Sequence, residues 1–443
     1  MKQWLLFLIL AVFFAVQIPS VLHQHPGWDE SVYIGIGKYL FSEGTSGLYE
    51  PIRPLLLPAI MGATWTLGGG LVASRFLMLV IALIAIGLAW IVGNELGGEP
   101  AAFWSALILA AAPVFFGDAT SVTTDLLAGL LILATAWQAR KNILISGILA
   151  GLAFATKFPA GLALIFPLLA SRMDARKIGA ALAGFALIVL PYLAANAVLE
   201  GDPFEPLLLA SRHAGNRAYA VPGLLQNLSF YPLALLGASP LLVFALLGLA
   251  STRRRALQFG TLVVIAYFVL IDNKQPRFAL LFLPLLAVFA GAGIVYCREH
   301  AKRTATILLI AGLAITIIND APLANDFGER PDIEGFEVAA RYGTVLTADP
   351  RFSAYHDNRA LPMYYLPFDV MNATTAYDLG APIAGAAIFR EDSFACEKFK
   401  AEWCSALVDS LKSRLEKHPI AHMDGVVVYQ LTGEIPASAT KGI

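Results

Sequence analysis

Eleven apolar runs constrain this 443-residue chain more than any motif in it. A hydrocarbon core of about 30 Å is crossed by roughly 17–25 helical residues. Runs of that length or somewhat shorter lie near 3–22, 75–94, 100–117, 122–139, 142–156, 159–171, 178–198, 231–250, 256–272, 277–297 and 304–318. Charged residues make up only 14% of the chain, which excludes an ordinary soluble domain. The first run, Trp4 to Leu22, leads into HQHPGWDE with no small-residue cleavage site, so it reads as an uncleaved helix.

One further run, PLLLPAIMGATWTL from Pro54 to Leu67, has 14 residues, contains Pro58 and ends in Gly68, Gly69 and Gly70. That length suits a re-entrant or interfacial helix better than a span. Charge tests this, because Lys and Arg accumulate in cytoplasmic loops. With the short run excluded and Lys2 inside, Arg140/Lys141, Arg172/Arg176/Lys177, Arg253/Arg254/Arg255 and Arg298/Lys302/Arg303 all fall on the cytoplasmic side. Counting it as a span puts all four clusters outside. The expected molecule is therefore a polytopic α-helical membrane protein with about eleven transmembrane helices, juxtamembrane helices in the first outer loop, a cytoplasmic N-terminus and an extracytoplasmic C-terminal α/β domain. Compactness suggests a prokaryotic chain and, with it, the plasma membrane.

The formal charge divides at the same place. Residues 1–318 carry 20 Lys+Arg against 14 Asp+Glu, a net +6, and residues 319–443 carry 11 against 18, a net −7. The expected domains are thus 1–318, with a first outer loop at 23–74, and a cap at 319–443. No basic patch interleaved with aromatics points to nucleic acid.

Several outer-side charges run against the positive-inside rule and need another reason. Lys157, in GLAFATKFPAG, sits where one helix ends and Pro159 starts the next. It suits either a helix C-terminus or an anion. Asp272, Asn273, Lys274, Gln275, Pro276 and Arg277 form a polar hinge, from which Arg277 is expected to begin the helix RFALLFLPLLAVFAGAG. A guanidinium there suits bidentate phosphate binding, with snorkelling to lipid headgroups as the alternative. Asp125, in SVTTDLLAGLL, opens a helix, where it is either a working acid or a first-turn carboxylate favoured by the helix dipole.

Asp29 and Glu30 follow Trp28 in HPGWDESVY, immediately after the first span. Val32, Ile36, Tyr39 and Leu40 recur at helical spacing behind them, which predicts a helix on the outer leaflet with both acids in its first turn. Neighbouring side chains point about 100° apart, so one acid faces a reaction while the other caps or orients. His23 and His25 with these acids also offer donors for a divalent metal, although the spacing matches no specific metal motif.

In order along the chain, WDESVY, RPLLLP, a Gly-rich turn, TTDLLAGLL, GILAGLAFATKFPAG and PRFALLFLPLLAVFAGAG resemble the glycosyltransferase family 39 group. That group includes protein O-mannosyltransferases and bacterial aminoarabinose transferases, and has the C-type glycosyltransferase fold. The resemblance covers about residues 1–320. It implies inverting transfer of a sugar from a polyprenyl-phosphate donor, dolichyl or undecaprenyl and mannose-bearing among others, to a protein, glycan or lipid acceptor at the outer face. Asp29 matches the family's first-loop acid and general base, with Glu30 beside it, and Asp125 its second acidic position. Arg53, Lys157 and Arg277, with Lys274 nearby, match its basic positions around the donor phosphate. The separate luminal β-trefoil of eukaryotic O-mannosyltransferases has no counterpart here, so the substrate is not inherited from them.

The chemistry stands without the family. A carboxylate within reach takes the proton of an acceptor hydroxyl as the new bond forms. Inversion places that base opposite the leaving phosphate, whose growing charge is stabilised by fixed cations. A secondary transporter is the competing reading, although the unusual charges gather at one face and no repeated halves are evident. A lipid-linked-sugar flippase would use the same cations without the base.

In the cap, YGTVLTAD and GVVVYQL read as strands and FKAEWCSALVDSLKSRLEKH as a helix. Cys396 and Cys404 share the outer side, where disulfides persist. On one continuous helix their spacing is about 12 Å, so a bridge between them requires a break.

Overall fold

The computed structural model describes residues 3–214, 223–271, 273–323, 327–328, 333–362, 386–390, 417–423 and 426–431. Asp272, Cys396, Cys404 and most of the helix expected at 399–418 lie outside them. The chain forms two compact units. One comprises Met1–Gln24, Ile52–Leu56 and Arg75–Phe327; the other comprises His25–Pro51, Leu57–Ser74 and Gly328–Ile443. Most of the segment 23–74 thus groups with the C-terminal segment.

The first unit is built from helices. They are α1 (Trp4–His23), α4 (Leu71–Ala110), α5 (Pro113–Asp118), α6 (Thr124–Gln138), α7 (Ile143–Thr156), α8 (Ile165–Ala170), α9 (Ala175–Glu200), α10 (Glu205–Ala214), α11 (Leu224–Ala238), α12 (Phe244–Ser251), α13 (Arg255–Leu270), α14 (Leu283–His300) and α15 (Lys302–Leu323). α2 (Trp28–Phe41) and α3 (Leu56–Thr66) lie between α1 and α4. Among the described residues four helices suffice by length and composition to cross a membrane: Trp4–His23, Leu71–Ala110, Ala175–Glu200 and Lys302–Asp320. α4 contains the expected run 75–94 and the first part of 100–117, with Gly97 and Gly98 (φ +71°) leaving helical geometry between them, and the rest of the second run lies in α5. Gly93 and Ser105, about 18 Å apart on a straight helix, come into contact across this break.

Proline-led 3₁₀ turns shorten several of the remaining apolar helices. Such turns span Phe158–Leu164, Pro240–Val243 and Pro276–Leu281. Proline supplies no N–H to continue a ladder and fixes φ, so each turn starts a new segment. Two expectations change accordingly. The run 231–250 is not one helix, since α11 ends at Ala238 and α12 starts at Phe244. Arg277 lies in a 3₁₀ turn, and α14 starts only at Leu283. Small residues bring the short helices together, with Gly147 and Gly184 against α9 and α7 backbone, and Gly248 and Gly293 doing the same between α12 and α14.

The second unit contains α2 (Trp28–Phe41), α3 (Leu56–Thr66, all but its first residue), α16 (Ile333–Ala340), α17 (Phe352–Tyr355) and a five-stranded sheet. The strands are β1 (Val345–Thr347), β2 (Ala360–Pro362), β3 (Ala386–Arg390), β4 (Lys417–Met423) and β5 (Val426–Leu431), in the order β2-β1-β3-β5-β4. β1 is parallel to β2 and β3, and β5 is antiparallel to β3 and β4. The strand readings of both apolar runs hold. Lys417 and His418, expected to end a helix, instead open β4, whose register shifts between Pro419 and Ala421.

α2 differs from the amphipathic surface helix that its spacing suggests. Glu30 to Lys38 are all buried. A Cβ on Gly37 would stand 2.6 Å from both the Pro58 oxygen and the Gly62 nitrogen, so glycine is what lets α2 lie against α3. The loop also joins the sheet. Gly47 donates its N–H to the Asn358 oxygen (3.0 Å) and accepts from the Ala360 N–H (2.7 Å), a parallel bridge at the β2 edge.

Candidate active site

The helical hairpin α6–α7 creates the central feature of the first unit. Ser146 Oγ donates to the Thr135 oxygen at 2.8 Å near the turn, which sets the register of the two antiparallel helices. In that register Asp125, ten residues back from Thr135, comes opposite the end of α7 and its cap, Lys157. Lys157 Nζ donates to Asp125 Oδ1 at 2.6 Å. The carboxylate is buried, with its side chain 2% exposed, and the ammonium is 17% exposed. Neither group is left as a bare charge in an apolar bundle.

The 3₁₀ turn Pro276–Leu281 completes the cluster. A Cβ on Gly129 would overlap the Leu280 carbonyl oxygen, so only glycine, one turn along α6 from Asp125, admits this segment so closely. Arg277 thereby comes to Asp125, with Nε 4.0 Å from Oδ2, and the same nitrogen donates to Gln275 Oε1 at 2.8 Å. Lys157 Nζ also stands 4.2 Å from the centre of the Phe278 ring, a cation–π contact. Two cations therefore share one carboxylate at the same end of the hairpin.

The structure separates the other sequence candidates. Lys274 is buried and turned onto the end of α13, where Nζ donates to the oxygens of Phe268 (2.8 Å) and Val269 (2.7 Å). A cation suits that helix terminus, so Lys274 caps α13. Tyr231 Oη donates to the Gln275 oxygen at 3.3 Å and steadies the same loop. Arg53 is half-buried in the turn before α3.

In the second unit Glu30 is buried and accepts from the Gly27 N–H at 3.2 Å, the capping half of the pair of acids. Asp29 stands half-buried beside it in the first turn of α2. His25 is half-buried before α2, and among the described residues no group of three or more His, Cys, Asp and Glu side chains is placed to hold a metal ion.

Two constellations escaped the sequence reading. Arg75, fully buried at the start of α4, donates to the Gln24 oxygen, and Thr120 Oγ1 donates to Gln24 Oε1 at 3.0 Å. A basic residue at the start of an apolar run is the signal for it in the sequence. In the second unit Lys38, 4% exposed, pairs with Asp357 Oδ1 (2.8 Å) and donates to the His356 oxygen (3.0 Å). Trp65 Nε1 reaches the same Asp357 oxygen at 3.1 Å. Burial lowers the Lys38 ammonium from its ordinary range against the opposing effect of Asp357. Burial raises the Asp357 carboxyl, but Lys38 and Trp65 outweigh that and hold it below the usual carboxylate value.

Comparison with known proteins agrees with this architecture. Residues 52–196 match the family described as dolichyl-phosphate-mannose-protein mannosyltransferase, a segment that contains Arg53, Asp125 and Lys157. No curated protein sequence matches the chain significantly. Among solved structures, ArnT from Cupriavidus metallidurans bound to undecaprenyl phosphate superposes with a TM-score of 0.68 at 16% identity, over 97% of this chain and 98% of that one. The archaeal oligosaccharyltransferase AglB from Archaeoglobus fulgidus gives 0.57 at 13% identity, over 98% of this chain and 75% of that one. The arabinofuranosyltransferase AftD from Mycobacteria gives 0.54 at 13% identity, over 98% and 40%. The chain has the C-type glycosyltransferase fold.

Proposed function

We propose that this protein transfers a sugar, with inversion, from a polyprenyl-phosphate donor to an acceptor on the extracytoplasmic side of the plasma membrane. The observation that carries the reading is the Asp125–Lys157–Arg277 cluster, in which one buried carboxylate holds two cations at one end of the α6–α7 hairpin. Such a pair of cations suits a leaving phosphate whose charge grows as the glycosidic bond breaks. Arg277 offers a planar fork for two phosphate oxygens and Lys157 a point charge. Asp125 is then a positioning residue that keeps both cations in place before the donor arrives. ArnT bound to undecaprenyl phosphate supports a lipid phosphate as the ligand of this fold.

In this mechanism the acceptor hydroxyl loses its proton to the Asp29 carboxylate as its oxygen attacks the anomeric carbon. The bond to the phosphate oxygen breaks with its electron pair passing to the lipid phosphate, and configuration inverts. Glu30 fixes the first turn of α2 through the Gly27 N–H. The test is transfer from a labelled polyprenyl-phosphate sugar in membranes carrying the protein. Asp29→Asn is expected to abolish turnover while donor lipid still binds. Undiminished turnover in that variant sinks the assignment of the base, and donor translocation without transfer by the wild type favours a flippase. Sugar counterflow would favour a transporter.

A further inference from the structure

At the end of α6 away from Asp125, about 18 Å along the helix, the first unit carries a second charged cavity. Its volume is about 250 Å³, and Glu95, Trp137, Arg140, Lys141 and Arg254 line it over an apolar floor that includes Leu257. Glu95 is the organiser. Its carboxylate receives Lys141 Nζ at 2.8 Å, Trp137 Nε1 at 2.9 Å and Arg254 Nη1 at 3.0 Å, while Arg254 Nη2 donates to the Glu95 backbone oxygen at 2.7 Å. Lys141 Nζ also stands 4.0 Å from the Trp137 ring centre.

Three cations against one carboxylate leave two positive charges in excess. Arg140 lines the cavity, is exposed and makes no ion pair among the described residues. Glu95 cannot quench the site further, because its oxygens are already divided between Lys141 and Arg254. The charge rule places this end of the bundle on the cytoplasmic side, where anionic lipids concentrate and basic pockets between membrane helices take their headgroups. The apolar outer surface of the neighbouring helices is available to acyl chains, with Ile91 42% and Phe259 57% exposed.

We infer that this cavity binds the phosphate of an anionic membrane phospholipid, with Arg140 as the principal ligand and Lys141 and Arg254 held beside it by Glu95. The site is separate from the proposed transfer reaction and does not depend on it. The experiment uses the full chain in nanodiscs and in detergent, with lipid retention read by native mass spectrometry and by exchange of a labelled lipid. The probes are phosphatidylglycerol, phosphatidylcholine and inorganic phosphate. Phosphatidylglycerol is expected to be retained and phosphatidylcholine lost. Arg140→Gln is expected to weaken phosphatidylglycerol binding about fivefold, as befits one basic contact with an anionic lipid. Arg140 is exposed and unpaired, so the variant is expected to melt with the wild type. Arg255→Gln, an exposed charge outside the cavity, is expected to change retention less than twofold. Equal retention of both lipids, equal losses in the two Arg variants, or displacement of phosphatidylglycerol by millimolar inorganic phosphate would each overturn the inference.

Discussion

Lys157 Nζ stands 2.6 Å from Asp125 Oδ1, and the two residues close the open end of a helical hairpin whose other end is fixed by Ser146 and Thr135. The pair is built by register, so its position is as well defined as the packing of two antiparallel helices. Removing one member leaves a buried charge without its partner, which costs on the order of 3–5 kcal/mol. Asp125→Asn is therefore expected to lower the melting temperature clearly and to reduce sugar transfer at least a hundredfold. The double variant Asp125→Asn, Lys157→Met should recover much of the stability and none of the activity. Recovery of transfer in the double variant would exclude a phosphate role for Lys157.

Arg277 differs from Lys157 in what it offers. A guanidinium presents two parallel donors to phosphate and an ammonium does not. Arg277→Lys is expected to weaken binding of polyprenyl phosphate about tenfold with little change in stability, measured by competition with labelled donor. An unchanged affinity would leave the fork without a function.

Lys274 is expected to behave in the opposite way. Its ammonium donates to two carbonyls at the end of α13, and hydrogen bonds to charged groups contribute about 1.5–3 kcal/mol. Lys274→Met should lower stability while the KM for donor stays within twofold. A large rise in KM at unchanged stability would return Lys274 to the phosphate ligands.

Gly129 tests the geometry without touching charge. Alanine there collides with the Leu280 carbonyl, which must retreat and take Arg277 with it. The expected result of Gly129→Ala is a loss of about 1–3 kcal/mol together with weakened donor binding. Stability lost with donor affinity intact would uncouple the turn from the site.

Acid should loosen the second unit. Burial and the nearby Lys38 charge hold the His356 imidazole below its ordinary value, and Asp357 is held below the usual carboxylate value. In both cases the unfolded chain binds more protons across the shifted interval, so stability present at neutral pH falls as pH falls. His356 contributes below about pH 6.5 and Asp357 below about pH 4. Protease sensitivity of the Gly328–Ile443 segment is expected to rise across these windows. Asp357→Asn should flatten the more acidic one, and an unaltered profile would rule out the pair as its origin.

The sequence was most informative where a charge had no reason to be. Lys157, Arg277 and Asp125 stood out because each breaks the rule that apolar runs and outer loops shed such groups, and the structure brings the three together. Helix continuity was harder to read, since a run such as 231–250 is apolar throughout and only its local geometry at Ser239 and Pro240 breaks it. The surroundings of α2 could not be read from periodicity at all. Its helical spacing suggests one apolar face, but Gly35 and Gly37 matter for what approaches them, and the approaching groups come from Leu48, Ser353, Pro58 and Gly62. Lys38 was invisible for the same reason, because its partners at His356 and Asp357 lie some 300 residues away.

That last separation governs how the molecule is made. α2 emerges from the ribosome early, yet part of its packing surface at Ser353, the partner of its lysine and the strand edge that Gly47 joins are supplied by residues after 328. During synthesis the segment from Trp28 to Phe41 must wait, its inward-facing tyrosine and isoleucines uncovered, while the helices encoded between are inserted. Cells that halt translation before that point would carry a helical bundle with α2 still uncovered, a ready target for quality-control proteases.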